Sequence, residues 1–377
     1  MAPIPDMRGF VPGPTTRGTF NILWSCLSTL FVCIWTSVHP DIRFHFDMTP
    51  KNLTMQKLFL AMSMLLMPEM MLVRVITEHI EARWIARQFN SQFPACSWTL
   101  ADAYYVTMNG YILKNEAIGH EDLLKLMQEG QIDPVTSDEL SIRDRSKADS
   151  LAKLIACCQI IWLMIQCLAR AIEGLPMSAL ELGTVGTAFM AVIAYGFQWH
   201  KPKDILRPIV LQPRNGKRGD NLVADASRLE TSLLQGDEEG DIAGNESRGD
   251  EGQVEEAKAD FLRFAFQHRD KIGYWVQAMV CLLFGGWHCL AWNFTFPTFL
   301  ELWLWRFYCI FCMVPGLFLP LLAHSKHYTR EEVLLATLAL FHLASRATAL
   351  VLMFIGLRRL PAGVFETVRW TTFLPHI

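Results

Sequence analysis

Residues Phe299–Leu322 read FLELWLWRFYCIFCMVPGLFLPLL, a run in which only Glu301 and Arg306 carry charge. A helix rises about 1.5 Å per residue, so a stretch of this length covers a hydrocarbon core of about 30 Å. Lipid selects such a run, and it decides the fold class: an all-α, polytopic bundle of transmembrane helices. Working outward, six further apolar segments are expected to span, namely Phe20–Val38, Gln56–Ile76, Leu151–Ile172, Ala179–Trp199, Gly273–Asn293 and Val333–Gly356, giving about seven in all. The first is long and is followed by no small-residue cleavage site, so it is expected to stay as a signal anchor.

Composition alone would not have decided this. The 377 residues are 51% hydrophobic and 19% charged, with a net charge of -3, and the mean hydropathy is only +0.22. Placement is what matters: about 46 of the 71 charged residues fall in Thr77–Ser150 and Lys201–Ile272, leaving the remainder about one-tenth charged. That pattern argues against a soluble globular enzyme. The near-neutral charge offers no basic stripe for nucleic acid. All cysteines except Cys96 lie in apolar segments, which argues against a disulfide-stapled secreted domain.

The organisation follows from these boundaries. Residues 1–19 form an amino-terminal arm. Residues 20–200 hold spans one to four, with a polar loop over 77–150, and residues 201–272 form a long charged loop. Residues 273–357 hold spans five to seven, and 358–377 form a tail. Within the long loop, Asp237–Glu256 carries about nine carboxylates against one arginine and cannot bury enough apolar surface to offset its ordering entropy, so disorder is expected there. Trp98–Leu113, too short and too polar at Asp102 and Asn109 to span, reads as an interfacial or re-entrant segment. Lys and Arg placement puts the amino terminus and the long loop on the cytoplasmic side, and with seven spans the tail falls on the opposite side. Of the sequons at Asn52, Asn245 and Asn293, only Asn52 fits that topology as a glycosylation site.

An ionisable group at membrane depth is costly unless paired or hydrated, so each invites a role. One set is Glu69, His342 and Arg346. Pro68 removes a backbone donor and bends span two beside Glu69, and His342 precedes Arg346 by four residues, so Glu69 is expected to pair with Arg346. The other set comprises Arg170, Glu173, Glu181, His288, Glu301 and Arg306. Gly285, His288 and Trp292 share a helix face at i, i+3, i+7, Glu301 and Trp305 are four apart, and Arg306 adjoins Trp305. The short connection through Pro297 makes these faces neighbours in a helix hairpin. Glu301 as acid, His288 as its proton partner, Arg306 as electrostatic anchor and Trp292 with Trp305 as aromatic walls would suit acid-catalysed cyclisation, isomerisation or epoxide opening of a lipophilic substrate. The structural alternatives are an ion pair between Glu301 and Arg306 and a histidine bonded to a neighbouring helix. A non-enzymatic sensor, transporter or scaffold working through Glu69, His342 and Arg346 is the competing function.

Other signals are local. Ser178-x-x-Glu181 reads as a capping box opening span four. His324-x-x-His327 with Glu331 and Glu332 sits at a span junction and better suits lipid headgroups than a metal. Cys309-x-x-Cys312 lies in an apolar setting unsuited to redox work. No metal and no cofactor is expected, since no dinucleotide fingerprint, phosphate loop or nucleophile elbow occurs.

The segments Trp24–His39, Asp144–Arg170, Gly286–Arg306 (GWHCLAWNFTFPTFLELWLWR) and Leu360–Ile377 (LPAGVFETVRWTTFLPHI) resemble those of a large family of uncharacterised fungal multi-pass integral membrane proteins. The resemblance implies an endomembrane protein, favouring the endoplasmic reticulum, with some members recruited to secondary-metabolite pathways. Its partners would be the bilayer, a lipophilic small molecule and co-pathway enzymes. It also implies that His288, Trp292, Glu301 and Arg306 are shared features of the family, while Trp287 stands where relatives are more often aliphatic.

Overall fold

The computed structural model describes residues 6–13, 17–42, 50–114, 116–136, 149–203, 205, 208–214, 271–322 and 328–369. The described chain is mostly helical. Its helices are α1 Thr19–Ser37, α2 Pro50–Leu66, α3 Pro68–Gln92, α4 Leu100–Thr107, α5 His120–Gln128, α6 Asp149–Ile172, α7 Ala179–Phe197, α8 Lys271–His288, α9 Phe299–Leu322 and α10 Tyr328–Ile355. Five short strands accompany them: β1 Met7–Arg8, β2 Tyr111–Leu113, β3 Glu116–Ala117, β4 Ile209–Val210 and β5 Leu360–Pro361.

Among the described residues, four stretches are long and apolar enough to cross a membrane: Thr19–Ser37, Leu154–Ile172, Ala179–Phe197 and Leu340–Arg358. A fifth would be α2 and α3 taken together, but these are bent by 115° at their junction. The bend expected in the second span at Pro68 is thus a full break between two helices. Its cause is Pro68, which starts α3 and cannot donate to the preceding turn. Trp275–Ala291 is apolar but shorter.

Close backbone approach joins α8 to α9. A Cβ on Gly285 would lie 2.5 Å from the Met313 side chain and 3.2 Å from its backbone nitrogen, so only glycine permits this crossing. The turn into α7 forms as its sequence dictates. Gly174 takes φ +68° after α6, and the Ser178 nitrogen and hydroxyl each donate to Glu181 Oε2 at 2.9 Å. The other Glu181 oxygen pairs with Arg17 of the amino-terminal arm.

Two expectations are overturned by packing. Trp98–Leu113 is neither interfacial nor re-entrant: it contributes α4 and β2 to a compact unit whose core includes Phe89, Trp98, Tyr104, Tyr111, Leu123 and Ile205. Asp102 is polar because it caps α4, accepting from the Thr99 nitrogen at 2.8 Å. Asn109 adopts φ 62°, a left-handed turn that asparagine tolerates. The three-stranded sheet has order β3-β2-β4, with β3 antiparallel and β4 parallel to β2. Residues 205 and 208–214 thus belong to this unit rather than to a featureless loop over 201–272. Asp237–Glu256 and the 324–327 histidine pair lie outside the described residues.

The second correction concerns the chain ends. Met7 pairs with Pro361 and Arg8 with Leu360, and the Arg17 nitrogen donates to Phe365 O at 3.1 Å. Both terminal segments therefore sit at one end of the bundle, not at opposite ends. Arg170, expected at membrane depth, is the clamp: its guanidinium donates to the carbonyls of Glu366 (2.7 Å), Pro176 (2.8 Å), Gly363 (2.9 Å) and Val364 (3.0 Å).

Candidate functional site

The helix break is where the buried charges meet. Glu69 occupies the first turn of α3, where the positive end of the helix dipole favours a carboxylate. Its Oε1 accepts a hydrogen bond from His342 Nε2. Both side chains are only 1% exposed. The expected Glu69–Arg346 ion pair does not form as a direct contact. Arg346 instead caps the end of α2, whose carbonyls the proline leaves without helical donors: Nε donates to Leu66 O at 3.1 Å and a terminal nitrogen to Leu65 O at 3.5 Å. Its remaining terminal nitrogen donates to the Tyr308 hydroxyl, and its guanidinium carbon lies 4.8 Å from the Phe284 ring centre.

Tyr308 brings in the expected member of the other set. The His288 ring meets the Tyr308 ring edge-on at 5.2 Å, and His288 Nδ1 donates to Phe284 O at 2.8 Å. That bond fixes the tautomer and leaves Nε2 as an acceptor. Trp305 lies 6.0 Å from His288 between ring centres, and 5.5 Å from Phe296. Glu69, His288, Trp305, Tyr308, His342 and Arg346 are each no more than 1% exposed. Among the described residues, Glu69 Oε2, His288 Nε2, Trp305 Nε1 and His342 Nδ1 have no protein hydrogen-bond partner. Buried polar atoms are normally satisfied, so this centre holds several open valences.

The constellation expected around Glu301 is not assembled as one site. Glu301 pairs with Arg358, not with Arg306 or His288, and its backbone nitrogen is capped by Thr298 Oγ1 at 3.3 Å. Arg306 donates to Trp292 O at 3.2 Å and lies over the Trp292 and Trp303 rings at 5.3 and 5.5 Å. Trp292 is thus a cation-π partner of Arg306, while Trp305 stands with His288. The two sets are joined through the His288–Tyr308–Arg346 contacts. Tyr308 was legible in principle: Glu301, Trp305, Tyr308 and Cys312 recur at i, i+4, i+7, i+11 on one face of α9. The Asn52 side chain lies outside the described residues.

A second ion cluster went unforeseen. Arg74 donates to Glu78 at 2.6 Å and to Asp41 at 2.5 Å, while Lys201 Nζ donates to Asp41 at 3.0 Å and Glu78 at 2.9 Å. Two cations thus meet two carboxylates where α1, α3 and the end of α7 converge. Burial alone would lower the Lys201 pKa, but Asp41 and Glu78 hold it above the usual lysine value. Asp41, Glu78 and Lys201 come from distant positions, and no spacing in the sequence announced them.

The described residues combine helical stretches long and apolar enough to cross a membrane with a polar centre buried at a helix break, an arrangement consistent with a membrane protein. The chain belongs to DUF8562, a family of unknown function that matches residues 2–227. That match takes in the broken helix with Glu69 and ends before α8. No curated protein and no solved structure matches the chain.

Proposed function

We propose that this is a fungal endomembrane protein that acts on a lipophilic small molecule, with the Glu69–His342 pair as its proton-handling centre and Arg346 as the group that positions it. The observation that carries the proposal is the set of open valences on Glu69, His342 and His288 deep in an apolar bundle. A carboxylate and an imidazole sharing one hydrogen bond can hold and release a proton, which is the requirement for acid–base work on a substrate that carries no charge itself. Glu301, neutralised by Arg358, is less suited to serve as the acid than its sequence position suggests.

The topology we assign has six crossings, by α1, α6, α7, α8, α9 and α10, with α2 and α3 forming a re-entrant hairpin. It follows from the joined chain ends and from the 115° bend, which turns the chain back. In the sequence, the stretches that this topology assigns to the end opposite the termini carry Arg83, Arg87, Arg143, Arg145, Lys147, Lys201, Lys203, Lys326 and Arg330. The terminal end offers chiefly Arg8, Arg17, Arg358, Arg359 and Arg369, three of them paired with acids. The lysine- and arginine-rich end is therefore cytoplasmic and both termini face the lumen, which reverses the orientation expected for seven spans. This also places Asn52 on the side that glycosylation does not reach. Single-cysteine labelling from each side of sealed vesicles tests the topology: a terminus at residue 8 that labels together with Glu129→Cys would overturn it.

The functional test is expression in a fungal host supplied with polyketide or terpenoid precursors. Wild type and Glu301→Gln are expected to convert substrate, while Glu69→Gln accumulates in the membrane without converting it. An unchanged metabolite profile in every strain removes the proposal, and loss in Glu301→Gln alone returns the acid role to Glu301. A transporter or sensor draws support from the helix break, since discontinuous helices line translocation sites. It predicts substrate flux across vesicles without chemical change.

A further inference from the structure

A cavity of about 280 Å³ lies at the end of the bundle that holds the termini, and its walls include Met177, Phe296, Met353 and Leu360, with Asn293 and Thr295 as polar lining. Among the described residues, no charged side chain lines it. Two connections, the end of α10 and the carboxyl-terminal segment build it. That segment is tied down independently by Arg170, by β1 pairing with β5, and by an Ala362 nitrogen bond to Asp6 O at 2.7 Å. The walls are therefore held by bonds that do not depend on what fills the space. The Glu301–Arg358 ion pair ties the start of α9 to the beginning of this segment.

We propose that this cavity is the binding site for a neutral lipophilic molecule of about ten to twelve carbon atoms carrying one hydroxyl or carbonyl group. The size follows from volume, since an apolar cavity of about 150 Å³ accepts benzene and this one is nearly twice as large. Neutrality follows from the lining: a charged ligand would meet no counter-charge there and would lose its hydration. The single polar group follows from Asn293 and Thr295, both exposed, which lie on one connection and offer an amide and a hydroxyl. The site also has a physical connection to the buried centre. Phe296 lines the cavity and packs on Trp305, which packs on His288, and Met353 lies on the same α10 face as His342, Arg346 and Ala349 at spacings of four, three and four residues.

This assignment rests on the lipophilic-substrate proposal but is tested separately from it. The probe is a photoreactive diazirine analogue of decanol, applied to the purified full-length protein in detergent, with crosslinks mapped by mass spectrometry. Crosslinks are expected on residues 293–296 and 356–361 and should be competed by unlabelled decanol. Ala179→Leu, which fills the cavity from α7, and Thr295→Trp, which obstructs it from an exposed position, should each lower labelling about tenfold, as expected when a ligand loses most of its apolar contact. Two variants on different elements guard against one that merely misfolds. Labelling spread along outward faces at Trp24, Phe31 and Trp162, labelling unchanged by both variants, or displacement by phospholipid rather than decanol would overturn the site. Glu69→Gln should label like wild type, so a failure of the acid–base assignment leaves this result intact, and the reverse also holds.

Discussion

Two buried polar clusters in this protein are built from similar side chains and differ in whether they are complete. In the cluster of Asp41, Arg74, Glu78 and Lys201, two cations meet two carboxylates through four direct contacts. At the helix break, Glu69 bonds to His342, Arg346 bonds to Tyr308 and Tyr308 meets His288, yet Glu69, His342 and His288 retain atoms without a protein partner. The closed cluster explains itself as a joint between α1, α3 and α7. The open one holds buried polarity that stability alone would not retain, because replacing such groups with well-packed apolar ones is often neutral or favourable.

Mutations can break this contrast. The largest effect is expected from Lys201→Met, which leaves the buried Glu78 and the partly exposed Asp41 with one cation and should cost about 3 kcal/mol, measured by thermal unfolding in detergent. The pH dependence follows from the raised Lys201 pKa. Its stabilisation is complete below the ordinary lysine value of about 10.4 and is lost as pH climbs through the raised folded value, so wild type should weaken only on strong alkalinisation. Arg346→Met comes next, at about 2 kcal/mol, because the Leu65 and Leu66 carbonyls and the Tyr308 hydroxyl lose a buried donor. Glu69→Gln should cost less than about 1 kcal/mol, since the amide oxygen still accepts from His342, while conversion is abolished. A loss of stability in Glu69→Gln as large as that of Lys201→Met would make the open cluster a second structural joint and erase the contrast. Glu301→Gln should be the mildest, within about 1 kcal/mol, because its partner Arg358 is half exposed and screened by solvent.

Much of the local chemistry was legible. The Ser178 and Glu181 capping box and the Pro68 break depend on residues within a turn or two, where spacing fixes geometry. Pairings were not legible in the same way. Glu301 suggested Arg306, five residues away on its own helix, but rotation and packing gave it Arg358 and gave Arg306 the Trp292 and Trp303 rings. Trp98–Leu113 looked interfacial because Asp102 and Asn109 are polar, when one caps a helix and the other makes a left-handed turn within a packed unit.

By itself the sequence determined the class of this protein, because the length and apolarity of a helix are properties of a continuous run. It also located the ionisable residues that an apolar bundle must accommodate. Only the tertiary structure decided which of them share a centre, that the second apolar segment turns back, and that the two ends of the chain meet. Those outcomes depend on helix rotation, tilt and the break at Pro68, which are set by contacts between residues far apart in the chain.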